Sequence, residues 1–467
     1  MNPEHALEEG LTLRTRHLDA VQRVRDGMRG KHARSYMPKT HESEFQTLRQ
    51  RAVGNWLPLV VTAISQNLFG EGYKRPSDAE SLSCWEHWTR NGLDSRQSMV
   101  YRAALTYGQS YVVVLPGSPS PVIRVHSPLV MTVVQDDPDA EWPDYAIRRV
   151  RKAQRAGIDG VVWEIIDDTT VWTLFAPDGA TEAAEFELLN YADHGFDVCP
   201  VSVFRNAWDD DPDVCFTALG EVEPLIPIQE RINDTTLGLL IAQQYSAFRQ
   251  KWASGIDIPR GSDGKPVETF EAAVNRIWMT ASKDVRFGEF SQTDLGGYLE
   301  SMDSAIKHMS AIAQVPPHYL LGGMVNISAE ALAAAEAGLT RKVGERKTIF
   351  GEAWGRVMRL CAYLSGDYEA AEDREARFIW RDSEARSLAA TADALGKLRQ
   401  MLDVPAEALW EMIPGVTPFQ RAEWLRMRAE DSKTDAAAVA AALVSGEDRG
   451  LPFGSVPPGN EARAEAA

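Results

Sequence analysis

Between residues 294 and 366 the apolar positions fall twice into helical register, with an uncharged stretch between the two runs. Leu295, Leu299, Met302, Ile306, Met309 and Ala313 recur at steps of three and four, which is one face of a helix. Val315-Pro316-Pro317 ends that run, because a proline disfavours helical geometry in the residue before it and lacks a backbone donor. Ser328 suits an N-cap and Glu330 the positive first turn of a second helix, which can run to about Leu364. Its apolar stripe is Leu332, Ala335, Leu339, Val343, Phe350, Trp354, Val357 and Cys361. Gly338, Gly344, Gly351 and Gly355 lie inside it; each weakens a helix by about 1 kcal/mol relative to alanine and invites a bend. The join contains Tyr319-Leu320-Leu321-Gly322-Gly323-Met324-Val325-Asn326-Ile327, without a charge. Surface loops are usually polar, so this one is expected to pack on something outside its own hairpin. Periodicity alone also fits an antiparallel helix pair in an ordinary helical core.

Elsewhere the period alternates between helix and strand. Residues 11–37 read as a helix, as do residues 49–68, with Trp56, Val60, Ile64 and Leu68 at steps of four. Pro58 allows the second of these to start later than Arg49, and Gly70 and Gly72 are expected to end it. Residues 81–91 and 94–106 are helical, with Trp85 and Trp88 read as core aromatics, and a strand follows at 110–115. From Val122 to Phe204 the period is two, with strands at 122–125, 131–134, 145–150, 161–166 and 170–175 and turn chemistry at Pro116-Gly117, Asp137-Pro138 and Pro177-Asp178-Gly179. Residues 228–252 form a long helix. Periodicity then fails around Pro259, Gly261, Gly264 and Pro266, leaving a short helix at 270–277 and short strands near Trp278 and Val285. A strand at 377–380 and helices at 383–401, 407–412 and 418–430 precede an alanine-rich, then Gly-, Pro- and Glu-rich end.

Composition narrows the function. A chain of 467 residues, 44% hydrophobic and 25% charged, is globular and divides into two or more lobes. It has no run of about 18 uncharged apolar residues, so no membrane span is expected, and its first residues lack the apolar core of a signal peptide. Cys84, Cys199, Cys215 and Cys361 are widely spaced and read as reduced, buried thiols rather than zinc ligands. The net charge is −18 and no clustered Lys and Arg of the kind that grips duplex DNA is evident. That argues against tight, static DNA binding and is compatible with a surface past which DNA slides. Trp208-Asp209-Asp210-Asp211-Pro212-Asp213 lacks the alternation of a calcium loop and reads as a solvated acidic turn. Gly261 to Lys265 is not a phosphate loop, since Pro266 stands where Ser or Thr is required. Hydrolase, zincin and dinucleotide fingerprints are missing, and the nine histidines show no catalytic grouping, so neither a catalytic site nor a cofactor or metal is expected.

The runs AIAQVPPHYLLGG and NISAEALAAAEAGLTRKV, with NWLPLVVTAISQNLFGEGY, WEHWTRNGLDSRQSMVYRAALTYGQSYVVV and INDTTLGLLIAQQYSAFRQKWASGI before them, resemble in their order the portal proteins of long-tailed bacteriophages. The likeness is to the type found in phages of actinobacteria and covers roughly residues 13–428. It implies an α+β fold of portal architecture. On it the chain divides into a wing of helices and antiparallel strands (1–227), a stem helix (228–255), a clip (256–293) and a second stem helix (294–315). A tunnel loop (316–327), a long tunnel-lining helix (328–366), a wing strand with helical crown (367–431) and a flexible tail (432–467) follow. The resemblance further implies a dodecameric ring at one capsid vertex, a virion component made in the host cytoplasm. Double-stranded DNA would pass through it, transiently and without sequence preference. The terminase large subunit, a head-tail connector, and the major capsid and scaffold proteins would be its partners. The tunnel loop would present Leu320, Leu321, Gly322, Gly323, Met324, Val325, Asn326 and Ile327, and the clip would dock partners through Pro259, Arg260, Asp263 and Lys265. A minor capsid or scaffold protein without a channel, and a packaging-associated enzyme, are the alternatives.

Overall fold

The structure is a computed structural model that describes residues 2–33, 42–75, 82–137, 139–208, 219–247, 251–254, 286–289, 294–322, 329–381 and, with short interruptions, 388–433. The chain forms two compact units, Met1–Ser383 and Glu384–Ala467.

The first unit opens with α1 (Pro3–Met28), whose N-cap Asn2 accepts a hydrogen bond from Glu4 N. The helix starts earlier than its apolar pattern indicated and stops at Met28. Residues 49–68 are not one helix. α2 (Glu42–Arg51) and α3 (Leu57–Ser65) are separate, and Pro58 sits in the first turn of α3, where its missing donor costs nothing. Gly70 and Gly72 do not merely end a helix: they lie in strand β1 (Gly70–Lys74), which pairs antiparallel with the last strand of the unit. α4 (Leu82–Arg90) and α5 (Leu93–Tyr107) follow, and α5 is closed by Gly108 at φ 88°.

The period-two region, together with the strand before it, forms two antiparallel sheets. β2 (Gln109–Leu115), β3 (Val122–His126) and β9 (Val201–Arg205) make a three-stranded sheet in the order β3-β2-β9. β4 (Met131–Val134), β5 (Tyr145–Arg155), β6 (Ile158–Ile166), β7 (Thr170–Pro177) and β8 (Glu187–Asp193) make a five-stranded sheet in chain order. One face of the larger sheet, with Tyr145, Ile147, Trp163, Ile165 and Leu174, covers Ala6 and Leu7 of α1. β8 and β9 escape the sequence pattern because every residue of β8 is exposed and β9 is buried nearly throughout, so neither alternates.

α6 (Ile226–Ala247) comes next, and β10 (Lys251–Ser254) pairs with β11 (Arg286–Glu289). Trp252, expected within a helix, is therefore in a strand. The strand expected near Val285 appears as β11, whereas residues 255–285, with Pro259, Arg260, Asp263, Lys265 and the strand expected at Trp278, lie outside the described residues, as does the acidic run from Asp209 onward. α7 (Gly296–Ala313), α8 (Pro317–Leu321), α9 (Ala329–Leu364), α10 (Tyr368–Glu372) and β12 (Arg377–Trp380) complete the unit. α9 runs unbroken through all four of its glycines.

The main core gathers around the second half of α9. Trp354 stands edge-on to Trp88 (4.7 Å between centroids) and to Phe204 (4.9 Å), and Trp85 stacks on Trp88 at 4.6 Å. Both tryptophans of α4 are thus core aromatics. Trp354 Nε1 donates to Tyr101 Oη (2.9 Å), Tyr101 Oη donates to Gln97 Oε1 (3.1 Å), and Gly70 N donates to the same oxygen (2.7 Å). A Cβ at Gly70 would lie 2.1 Å from the Phe378 ring, so the strand pair admits only glycine there. Cys84, Cys199 and Cys361 are free and buried; burial pushes the Cys199 and Cys361 thiols upward. Among the described residues no helix is long and apolar enough to cross a membrane.

In the second unit α11 (Leu388–Leu402), α12 (Ala406–Trp410) and a helical stretch across 423–431 follow one another, with Trp410 edge-on to Trp424 at 5.7 Å. Leu402, the last residue of α11, is 68% exposed.

Candidate functional site

The segment joining α7 to α9 is not simply a loop. Gln314 takes φ 55° and caps α7, and the Ser310 hydroxyl donates to Val315 O. Pro316 is extended (ψ 138°) and Pro317 opens α8, using a residue that cannot donate in a turn that needs no donor. α8 ends at Gly322, whose φ of 67° is the left-handed region, and Gly322 N donates to His318 O (3.0 Å). Tyr319 lies against Glu336 of α9, and partial burial followed by that carboxylate raises its hydroxyl pKa.

This changes the reading of the expected tunnel residues. Leu320 is 6% exposed and belongs to the main core, so it is not free to line an axial collar. The helical turn of α8 explains the split, since it sends Leu320 inward and leaves Tyr319 and Leu321 outward at 40% and 38% exposure. Gly323, Met324, Val325, Asn326 and Ile327 lie outside the described residues.

Behind α8 a cavity of about 510 Å³ opens between Lys307, Ser310 and Gln314 of the α7 end, Pro316 and Pro317, and Ala335, Gly338, Arg341 and Glu345 of α9. Its inner wall is a buried charge network. Lys342 Nζ donates to Ala313 O (2.9 Å), satisfying a carbonyl at the α7 terminus, and to the Glu221 carboxylate. Arg346 donates to Asn206 Oδ1 (2.8 Å) and Glu221 Oε1 (3.3 Å), and Asn206 Nδ2 donates to Glu221 Oε1 (3.1 Å). Glu221 is held in turn by its backbone N–H on Leu105 O (2.7 Å), and a Cβ at the adjacent Gly220 would meet Thr106 O at 2.3 Å. The network ties α9 to the ends of α5, α7 and β9 at one point. Two cations share one carboxylate there, and each has a second oxygen partner in Ala313 O or Asn206 Oδ1, which offsets the cost of buried charge, while Arg346 Nη1 has only the Glu345 carboxylate, at 3.0 Å, as its ion-pair partner. Sequence reading missed it because Lys342, Arg346 and Glu221 resemble surface residues. The available signal was that Lys342 and Arg346 interrupt the apolar line Leu339, Val343, Phe350 at helical spacing.

A second charged feature corrects the expectation that the chain has no basic cluster. Residues 148–155 carry five Lys and Arg and no carboxylate, on β5. Arg148 is buried and paired with Glu164 (Nε to Oε2, 2.7 Å), whereas Arg149, Arg151, Lys152 and Arg155 are exposed.

One histidine does sit between two hydroxyls. His87 Nδ1 lies 2.7 Å from Ser120 Oγ and Nε2 lies 2.9 Å from Ser365 Oγ. Ser365 Oγ donates to Cys361 O (2.8 Å), so its proton is committed to a carbonyl and His87 donates to it instead of activating it. Among the described residues, no group of three or more His, Cys, Asp or Glu is placed to hold a metal ion.

A family model described as phage portal protein, SPP1 Gp6-like, matches residues 13–436. The portal proteins of Mycobacterium phage D29 and Mycobacterium phage L5 are 28% and 27% identical over 359 residues, covering 73% of this chain and 71% of each relative. Among solved structures, a chain of the virion of a native gene transfer agent particle aligns with a TM-score of 0.47 at 16% identity, over 82% of this chain and 99% of that one.

Proposed function

The chain belongs to the SPP1 Gp6-like phage portal proteins, and from that membership we propose that it assembles into a closed ring at a capsid vertex and passes double-stranded DNA inward during packaging and outward during ejection. The observation that carries this reading is the family match, which runs through the sheets, α7, α8 and α9 and into the second unit. The role is structural and takes no cofactor. A ring needs each protomer to present two different faces, and twelve copies is the stoichiometry the resemblance implied. The exposed first half of α9 and the outward residues of α8 are the parts we assign to the channel, with Leu321 and Gly322 at the end of the described tunnel segment. An uncharged loop there offers phosphates no cation, which favours sliding over grip. Residues 256–293, with Pro259, Arg260, Asp263 and Lys265, are assigned to docking the packaging motor and later the neck.

Electron-microscopic averages of the purified particle test the ring. An axial hole with cyclic symmetry is expected, and a particle without a hole would overturn the conduit. Replacing residues 321–325 with a Gly-Ser segment tests the tunnel assignment. Assembly with near-normal melting and poor DNA loading or retention is expected, whereas loss of soluble protein would make these residues core fillers.

A further inference from the structure

Among the described residues the five-stranded sheet has two edges that are unpaired and chemically opposite. On one side β4 pairs with β5 only as far as Met131 opposite Arg148, and one more bond runs from Arg149 N to Val130 O (2.9 Å). Beyond it, Arg151 to Arg155 pair with β6 alone among the described residues. That half-strand exposes Arg151, Lys152 and Arg155, and beside them Val150 (38%) and Ile158 of β6 (53%) expose apolar side chains. On the other side β8 pairs with β7 alone among the described residues, and its Leu188, Leu189 and Tyr191 are 48%, 40% and 64% exposed. Residues 178–197 around β8 contain six carboxylates and no Lys or Arg.

A run of like charge is ordinarily a solvated face, and Arg151, Lys152 and Arg155 blunt the β5 edge in that way, but the β8 edge is not built as a solvated edge. Free strand edges are normally blunted by Lys, Pro or a covering element. β8 has a register irregularity near Leu189 but neither Lys nor Pro, and it carries three large apolar side chains. The basic half-strand also departs from a chain whose net charge is −18. The two edges complement each other twice, base to acid and apolar to apolar. The pairing chemistry already occurs within the protomer, where Arg155 Nη2 meets Glu187 Oε1 at 2.9 Å.

We infer that the basic half-strand of β5 in one protomer packs against the β8 edge of a second copy, head to tail. Two different patches meet in such a contact, which is the heterologous type that closes into rings. The inference rests on the ring reading above and assigns one of its subunit contacts to these sheets.

Charge reversal on each side tests it. Arg151→Glu with Lys152→Glu, and separately Glu187→Lys with Tyr191→Lys, place like charges across the contact. Each pair is expected to lower the assembly constant on the order of tenfold or more, measured by native mass at physiological ionic strength. The side chains are exposed, so subunit melting is expected to stay near that of the unaltered protein. Mixing the two variants makes the reversed edges complementary again and is expected to restore mixed rings. Normal assembly of each variant alone, or failure of the mixture to recover when both subunits are folded, overturns the inference and leaves the ring reading standing. Normal assembly of the β5 variant with loss of DNA retention assigns the strand to nucleic acid and also overturns it. An unaltered protein that forms no ring would sink the ring reading itself.

Discussion

The two halves of α9 share one apolar stripe and differ in their surroundings. In the second half Phe350, Ala353, Trp354, Val357, Met358 and Cys361 are all fully buried, and β2, β9 and β12 pack around them. In the first half Ala334, Ala335, Gly338, Thr340 and Arg341 are exposed, with Leu339 and Val343 as the buried line. Lys342 and Arg346 mark the boundary and hold it through Glu221. One helix thus serves as the pillar of the subunit at one end and as an open surface at the other. Helix formation needs only a stripe on one face, whereas a core needs neighbours on several.

If the second half anchors the subunit, Trp354→Ala removes an aromatic shared by Trp88, Phe204 and Phe378 and leaves Tyr101 without its donor. A loss of about 4–5 kcal/mol is expected in denaturant unfolding. A loss below about 1 kcal/mol would place the anchor elsewhere. Glu221→Gln tests the boundary by leaving Lys342 and Arg346 buried without a carboxylate, and it should destabilise by about 3 kcal/mol. The paired change Glu221→Gln with Lys342→Met should recover part of that loss; no recovery would mean that the lysine contributes nothing through the pair.

The same measurement against pH separates the helical core from the sheets. Burial, then the neighbouring Arg148 and Arg124, hold the His126 imidazole down at about 4, and Arg148 Nη1 stands 2.7 Å from Nε2. A guanidinium only donates, so the ring must accept and be neutral. The unfolded chain binds its proton at the ordinary value of 6.5 while the folded chain waits until about 4. Stability present above the unfolded value is therefore lost as pH falls through that window, by about 3 kcal/mol. His126→Gln should flatten the slope of the unfolding midpoint between about pH 7 and about pH 5. An unchanged slope would assign the acid sensitivity to other groups.

The smallest effect sharpens the comparison most. A Cβ at Gly338 meets nothing within 4 Å among the described residues, so Gly338→Ala should stabilise the isolated subunit by about 0.5–1 kcal/mol. If ring assembly is unaffected, the first half of α9 has room beside it in the particle as well. If assembly weakens while the subunit melts higher, a neighbour approaches the helix at that glycine.

Much of the fold was readable before any coordinates. The 3.6-residue stripe located α7 and α9, Pro316 and Pro317 marked the break between them, and the change to period two announced the sheets. β1 was not readable, because Gly70 and Gly72 lower strand propensity and only the Phe378 ring packing on Gly70 makes the glycine necessary. The site was less legible than the fold. Leu320 and Leu321 look alike in the chain, and one short helical turn sends the first into the core and the second outward.

Local order was set by the sequence itself: where helices run, where prolines stop them, and membership of a portal family through the order of its segments. These follow from backbone sterics and from side-chain spacing along one element. Tertiary structure decided which half of α9 is pillar and which is surface, that three scattered charges from residues 221, 342 and 346 form one buried network, and that Arg151, Lys152 and Arg155 stand at an edge unpaired among the described residues, across the sheet from β8. Those outcomes depend on desolvation and on contacts between segments well separated in the chain, and no local pattern encodes them.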